Sequence, residues 1–528
     1  MPKQLIPRLT PALLPVACVM IYAPNFGDFF LPAVQPLVRG MAMMPLELLA
    51  LDSWRIAAMT ESGISLAQLS FYLQAMLLDM LEPVSSRWIN LVLHGINAML
   101  CADVSYRALM ARPHSHNTAG RAAAAALMGA AFWSLNPLQV DTVMTTLARG
   151  ELLAVLISLL TVSQYIRWRS LDASPAAQSL TVAGVWLSLA TVAAGLCDAD
   201  GWLIPVYVLL IEATLFRPWS LGDTSADMQD QWRATSFSLL WVLALLPSWG
   251  GFTNTAVLPD GYYLALLTPC CLLTWWLTAW TTQKQGLTVL FGIPVLTLCS
   301  VLAFLQAGHW RNDTLLAEHR YQQDPETYET RVALARAYYA AAGQQKTDAS
   351  ARRFLTTAMR LAGDALALRP DRAAAHAELI LLESLMNVDA ETRYQLLADV
   401  LMRRAPDSQD MDSLRRLERC TRAEVCTAPA GGFENWLARV ADHHQHEPLW
   451  DLLLEHCLMR SDYSCLRQRS QAVIDAAPDG FFAYRALYTA ARAEGDIETA
   501  QATVLRMAQT NPQRRWQPWI RDFAAGRL

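Results

Sequence analysis

The sequence predicts an all-α membrane protein that carries a water-soluble helical domain at its carboxyl end. Charged residues are scarce before His309, apolar runs long enough to cross a bilayer recur there, and Pro478 and Pro512 mark a 34-residue period in the remainder. We therefore expect a polytopic membrane domain at 1–308 and a helical repeat domain at 309–528.

The composition supports this division. Hydrophobic residues make up 53% of the chain and charged residues 17%, whereas soluble domains average about 25% charged residues. Only Asp260 and Lys284 are charged between Ser236 and Gln306, and charged residues become frequent after His309. The net charge of −5 and the absence of a Lys/Arg tract give no argument for nucleic acid as a partner.

About nine segments are apolar enough to cross a bilayer, which takes about 20 residues in a helix. They are 10–29, 88–108, 121–140, 152–165, 180–196, 202–216, 236–252, 262–282 and 287–307. A further segment at 66–81 contains Gln68, Gln74 and Asp79 and either spans or lies along the membrane surface. With nine spans, the connectors rich in Arg and Lys share the cytoplasmic side with the N-terminus. We prefer nine spans because a tenth span at 66–81 would move every later connector to the opposite side of the membrane, and the connectors rich in Arg and Lys would then lie outside the cytoplasm.

The repeat domain shows the tetratricopeptide layout. Between Pro478 and Pro512, an aromatic helix around Tyr484 is followed by the turn Gly495-Asp496 and by a second helix containing Ala500. Two helices with small residues at their crossing and a closing proline are typical of this repeat. Such α-solenoids usually bind protein partners on a concave surface.

Two close cysteine pairs lie in the repeat domain, Cys420 with Cys426 and Cys457 with Cys465. An even number of cysteines in close pairs favours disulfides, and hence an oxidising compartment. Four unrelated thiols remain the alternative. A zinc site is less favoured because no CxxC spacing is present. The disulfide interpretation agrees with the nine-span topology, which places the repeat domain outside the cytoplasm.

The order of spans and then repeats resembles the tetratricopeptide-containing GT-C glycosyltransferases, a group that includes the transmembrane O-mannosyltransferases. Three local matches carry the resemblance: Asn90-Leu-Val-Leu-His94-Gly-Ile-Asn97, the stretch from Trp133 to Asp141, and Arg149-Gly-Glu151-Leu-Leu. They are similar to the family patterns NxxxHxxN, ALHPVxxEAV and GRxDLLAA.

The resemblance implies transfer of a sugar from a polyprenyl-phosphate-type lipid to a protein or glycan hydroxyl on the non-cytoplasmic face, often with a divalent cation such as Mg²⁺ or Mn²⁺. On this basis Asp28 and Asp141 are the catalytic candidates, as general base or metal ligands. Arg149 is the candidate for binding the donor phosphate. The supporting candidates are Asn90, His94 and Glu151.

The sequence also departs from the family pattern. Phe29 stands where a second acid is usual, Ile64 stands where an arginine is usual, and Asp198 stands where a lysine is usual. These changes favour a second hypothesis, a non-catalytic membrane scaffold whose repeats recruit proteins for envelope or appendage assembly. The Ala-rich composition without long loops is typical of a bacterial inner-membrane protein. Sugar, acceptor, metal, repeat partner and oligomeric state are not determined by the sequence.

Overall fold

A computed structural model describes most of the chain as helix and contains no β-strand among the described residues, which confirms the all-α class. The described residues are 10–28, 66–78, 82–111, 119–171, 177–212, 216, 263, 285–386, 388–444, 446–478 and 481–510. They fall into two compact units that divide between Asp313 and Thr314. The sequence placed this boundary five residues earlier, so Trp310, which we assigned to the repeat domain, belongs to the first unit.

The first unit contains nine α-helices in its described part. They are α1 (Leu13–Tyr22), α2 (Leu66–Leu78), α3 (Pro83–Met110), α4 (Ala119–Ser134), α5 (Val140–Met144), α6 (Arg149–Leu171), α7 (Ala177–Gly195), α8 (Ile204–Ile211) and α9 (Gln285–Gly308). The central helix is α3, which packs against α1, α4 and α6. It begins with Pro83, which suits the first turn because its missing N–H has no intrahelical acceptor there.

Two helical segments of the first unit are long and apolar enough to cross a membrane, Thr146–Ser170 and Gly292–Arg311. Only 17% of the apolar window of Gly292–Arg311 is buried, and side chains such as Leu298 and Leu305 are more than half exposed. Exposed apolar surface of this kind is typical of a face that contacts lipid or another protein. Two helices of sufficient length and apolar composition therefore suggest membrane association, although 56% of the apolar window of Thr146–Ser170 is buried, as in the core helix of a soluble protein.

Most of the other predicted spans are shorter or more polar than we expected. Leu13–Asn25, Val182–Gly195 and Gly201–Ile211 are apolar but short, and α3 carries a buried polar face. The predicted spans 236–252 and 262–282 lie outside the described residues except for Tyr263. The described part of the segment 66–81 is the helix α2, and residues 79–81 lie outside the described residues, so both interpretations of this segment stay open.

The second unit contains eleven helices among its described residues. They are α10 (Asp313–Gln323), α11 (Tyr328–Ala342), α12 (Asp348–Leu368), α13 (Ala373–Leu385), α14 (Glu391–Arg403), α15 (Ser408–Arg422), α16 (Phe433–His444), α17 (Glu447–Met459), α18 (Tyr463–Ala476), α19 (Phe481–Ala493) and α20 (Ile497–Thr510). The first of these, α10, starts at the boundary residue.

Helices of the second unit pack in two alternating sets. From α11 to α19, each odd-numbered helix contacts the next odd-numbered helix, and the even-numbered helices pack against them. Short connectors make this possible, and Gly495 supplies one of them with φ +75°, a conformation that side chains disfavour. Tyr484 of the predicted aromatic helix and Ala500 of the predicted second helix are both buried in a continuous core. The arrangement agrees with stacked helical hairpins.

Both cysteine pairs lie within bonding distance in the structure. The sulfur atoms of Cys420 and Cys426 are 2.08 Å apart, and those of Cys457 and Cys465 are 1.91 Å apart. The first bridge closes the end of α15, and the second joins α17 to α18 across their turn. Each bridge therefore closes a short loop. A disulfide stabilises a fold mainly because it restricts the unfolded chain.

One acid of the second unit gives a pH-dependent prediction. Burial, with Glu447 and Glu455 on the same helix and against the opposing effect of Arg415, raises the pKa of Asp451 to about 7. When the folded pKa of an acid lies above its unfolded pKa, stability falls as the pH rises from the unfolded pKa to the folded pKa, and the loss is complete above the folded pKa. We expect Asp451→Asn to stabilise the unit by about 1–2 kcal/mol at pH 8 and by little at pH 4.

Hydrogen exchange of α17 peptides at the two pH values measures this difference, after correction for the intrinsic exchange rate. The exposed Asp475 of α18 provides the matched control, Asp475→Asn. Equal effects of Asp451→Asn at pH 8 and pH 4 would contradict the prediction.

Candidate active site

A polar stripe runs along the buried face of α3. Asn90, His94 and Asn97 are each fully buried, and their spacing of four and three residues places them on one face of the helix. The amide of Asn90 donates to the carbonyl of Thr145 at 2.9 Å, and that of Asn97 donates to the carbonyl of Leu152 at 3.0 Å. The stripe thus fixes α3 against the segment that contains Asp141 and Arg149.

His94 has both ring nitrogens engaged. Its Nε2 lies 2.9 Å from the carbonyl oxygen of Ser134, and its Nδ1 lies 2.8 Å from the hydroxyl of Tyr263. A carbonyl only accepts, so Nε2 carries the proton, and in the neutral ring Nδ1 accepts from Tyr263. With both nitrogens used, His94 joins helices and is not placed to act as a catalytic base.

Arg149 is fully buried at the start of α6. Its Nε donates to Asn90 Oδ1 at 3.2 Å, and its Nη2 donates to Gln74 Oε1 at 2.8 Å and to the Ser86 carbonyl at 3.3 Å. The guanidinium also lies over the ring of Phe71, 3.9 Å from its centroid. All of these partners are neutral. Nη1 is buried and has no hydrogen-bond partner in the part of the chain that the structure describes.

This environment leaves the charge of Arg149 uncompensated. No described carboxylate forms an ion pair with it. Burying a cation without a counter-charge is costly, and buried charges are usually paired. A buried guanidinium with one nitrogen available is suited to an anionic group of a ligand, since arginine N–H groups match phosphate oxygens.

Arg87, three residues before Asn90 on the same face of α3, also has a buried guanidinium. Its Nε donates to the Met144 carbonyl at 3.2 Å and its Nη1 donates to the Gly27 carbonyl. It interacts electrostatically with Asp28 and lies 5.7 Å from the ring centroid of Trp310. Arg87 therefore contacts the segment that carries Asp28 as well as the end of α5.

The two predicted catalytic acids belong to this one cluster. Asp141, in the first turn of α5, accepts a hydrogen bond from Trp310 Nε1 at 3.1 Å. Asp28 is exposed, next to Gly27. Arg87 and Trp310 thus connect two carboxylates that are 113 positions apart in the sequence (from 28 to 141). Trp133, by contrast, packs on His94 and Tyr263, and Phe29 lies outside the described residues.

Glu151 lies elsewhere. It is two residues beyond Arg149 on α6, which points the two side chains to different sides of the helix. It is nearly buried and interacts electrostatically with Tyr263. Its position is therefore on the Tyr263 side of the stripe.

The described residues around Asp28 and Asp141 do not fit a divalent cation. No group of three His, Cys, Asp or Glu side chains converges in the described part of the first unit, and Mg²⁺ or Mn²⁺ needs several oxygen ligands. The guanidinium of Arg87 lies against the Asp28 segment and the end of α5 instead.

Sequence reasoning missed Arg87 and Trp310. A signal for Arg87 was available, because it precedes Asn90 by three residues and so continues the 90, 94, 97 spacing of the stripe. It also changes the charge balance, because the loss of positive charge expected at Ile64 and Asp198 is partly offset by this buried arginine. No local signal identifies Trp310 as a partner of Asp141, since 169 positions separate them.

Comparison with known proteins adds no assignment: no family model, no curated protein sequence and no solved structure matches the chain.

Proposed function

We propose that the protein is a membrane glycosyltransferase that moves a sugar from a polyprenyl-phosphate-type lipid to a hydroxyl of a protein or glycan. One observation carries this proposal: the buried Arg149, which has no described counter-charge, bonds Asn90 of α3, and Arg87, three residues earlier on that helix, bonds the segments that carry Asp28 and Asp141. An anion site beside two carboxylates is what such a transfer requires.

The chemistry assigns a role to each group. The acceptor hydroxyl oxygen attacks the anomeric carbon, the bond from that carbon to the phosphate oxygen breaks, and the lipid phosphate leaves with the electron pair. Arg149 stabilises the leaving phosphate through Nη1. Asp28 takes the hydroxyl proton, since it is exposed, whereas Asp141 is held by Trp310. A general base of this kind contributes about 10²–10⁴-fold to the rate.

The topology belongs to the proposal. We place the N-terminus in the cytoplasm of a bacterial cell, about nine spans in the inner membrane, and the tetratricopeptide solenoid in the periplasm. The two cysteine bridges support an oxidising compartment for the second unit. A periplasm-active alkaline phosphatase fused after residue 528 is expected to be active. If the phosphatase fusion were inactive, and a reporter that works only in the cytoplasm were active at the same position, the periplasmic placement of the second unit would be overturned.

Asp28→Asn tests catalysis. In a strain that lacks the native copy, we expect it to lower the rate at which acceptor glycoproteins gain mass by about 10²–10⁴-fold. Intact-protein mass spectrometry of the envelope fraction measures the gain. Glu82→Gln removes another exposed acid of the first unit and is the matched control. Acceptor masses that match the wild type at equal enzyme abundance would remove the transferase proposal.

The second candidate is a scaffold that keeps the fold without catalysis. It is favoured by His94, whose ring nitrogens are both used in interhelical hydrogen bonds. In this case the stacked hairpins of the second unit recruit protein partners, and deletion of the protein leaves all glycan masses unchanged while an envelope assembly is lost.

A further inference from the structure

The geometry points to Arg87, together with Trp310, as the positioning residue that fixes Asp28 and Asp141 relative to each other. The inference deepens the proposed function and rests on it, because the two acids are its catalytic candidates. It assigns Arg87 a task different from that of Arg149.

The contacts of Arg87 support positioning because they are made to backbone. One guanidinium bonds the carbonyl of Gly27, the residue before Asp28, and the carbonyl of Met144, three residues after Asp141. The side chain is 1% exposed. A rigid planar fork that bonds two chain segments at once restricts their separation, which the single flexible ammonium of a lysine does not.

Trp310 completes the connection from the other side. Trp310 is fully buried in the helical turn that follows α9. Its ring faces the Arg87 guanidinium, and its Nε1–H donates to Asp141 at 3.1 Å. A side chain that is locked by packing on one face and bonded on its edge keeps a carboxylate in one orientation. Arg87 thus orients the Asp28 segment, and Trp310 orients the Asp141 carboxylate.

The two arginines differ in what their nitrogens contact. In Arg149, Nη1 is buried and without a partner among the described residues. In Arg87, both Nε and Nη1 are used on carbonyl oxygens. We therefore expect binding of the lipid phosphate to depend on Arg149 and turnover to depend on both.

The first test separates binding from turnover in the full-length protein. Undecaprenyl phosphate is the binding probe, measured by native mass spectrometry, and acceptor mass gain is the turnover readout. We expect Arg87→Met to lower turnover by about 100-fold, as a misplacement of about 1 Å does, with affinity changed by less than about threefold. Arg87→Lys keeps the charge but not the fork and is expected to restore little turnover. Loss of affinity equal to that of Arg149→Met would show that Arg87 is a ligand, and unchanged turnover would show that it positions nothing; either result overturns the inference.

The second test does not need activity. Cysteines are introduced at positions 28 and 141 and spin-labelled, after replacement of the six cysteines outside the bridges (ten in total, four in bridges). Pulsed electron paramagnetic resonance is expected to give a narrow distance distribution in this background, a broad one with Arg87→Met, and a narrow one with Arg149→Met. An unchanged distribution with Arg87→Met overturns the inference.

Trp310→Phe is the second variant, because Arg87→Met leaves buried carbonyls unpaired and lowers the folded fraction. It keeps an aromatic ring and removes the N–H that holds Asp141, so in the protein that retains both acids it is expected to lower turnover while the affinity for undecaprenyl phosphate changes by less than about threefold. A protein that neither binds undecaprenyl phosphate nor modifies acceptors, yet shows these distance changes, refutes the transferase and leaves the positioning role intact.

Discussion

Arg149→Met is expected to weaken the binding of undecaprenyl phosphate by about 10- to 150-fold, which corresponds to the roughly 1.5–3 kcal/mol of a charge-assisted hydrogen bond. The same variant is expected to change the unfolding temperature of the first unit only slightly. Removing the buried cation relieves its desolvation cost, and this gain offsets the loss of its bonds to Asn90 and Gln74. A residue kept for function at the expense of stability gives this pattern.

Arg169 of α6 supplies the control. It forms a two-point ion pair with Glu212 at 2.7 and 2.9 Å, so Arg169→Met removes the cation that faces this carboxylate and is expected to destabilise the unit without altering phosphate affinity. Native mass spectrometry gives the affinities and differential scanning fluorimetry gives the unfolding temperatures. If Arg149→Met behaved as Arg169→Met does, the buried arginine would be a structural residue and the anion site would be abandoned.

Glu378→Ala is expected to destabilise the second unit by about 3–5 kcal/mol. The Glu378 side chain is 2% exposed and receives Arg336 Nε at 2.8 Å, Ser413 Oγ at 3.1 Å and Arg416 Nη2 at 3.4 Å. These partners come from α11 and α15, with α13 between them. Truncation removes the nearest carboxylate from two cations, of which Arg336 keeps only Asp412 at 3.4 Å, and this loss of charge compensation is the source of the penalty.

Exchange protection of α11, α13 and α15 in the full-length protein measures this loss. The exposed pair of Arg360 and Asp364 on α12 provides the control, because Asp364→Ala removes an ion pair in solvent and is expected to cost less than about 1 kcal/mol. Glu378→Gln keeps the volume and part of the hydrogen bonding, so its effect is expected to fall between the two. Equal protection in Glu378→Ala and Asp364→Ala would contradict the buried network.

The two sets of predictions concern different links between sequence and function. In the second unit, charge is buried in pairs, so its removal costs stability. In the first unit, the charge of Arg149 faces no described carboxylate, so its removal is expected to cost ligand binding. The difference lies in the surroundings of each arginine and not in its chemistry.

The amino-acid sequence was enough to predict the helical class and the division into an apolar half and a charged half. These features follow from composition and from the 3.6-residue period, which act over a few turns and need no knowledge of distant contacts. The close cysteine pairs are local in the same sense.

Which side chains meet depends on the packing of the helices. That packing brings Asp28 and Asp141 to Arg87 and Trp310, engages both nitrogens of His94, and leaves Nη1 of Arg149 without a described partner. Such contacts join residues 40 or more positions apart, and no local pattern fixes their geometry. The charge of a residue can be read from the sequence, but whether that charge is compensated depends on which distant side chains are packed around it.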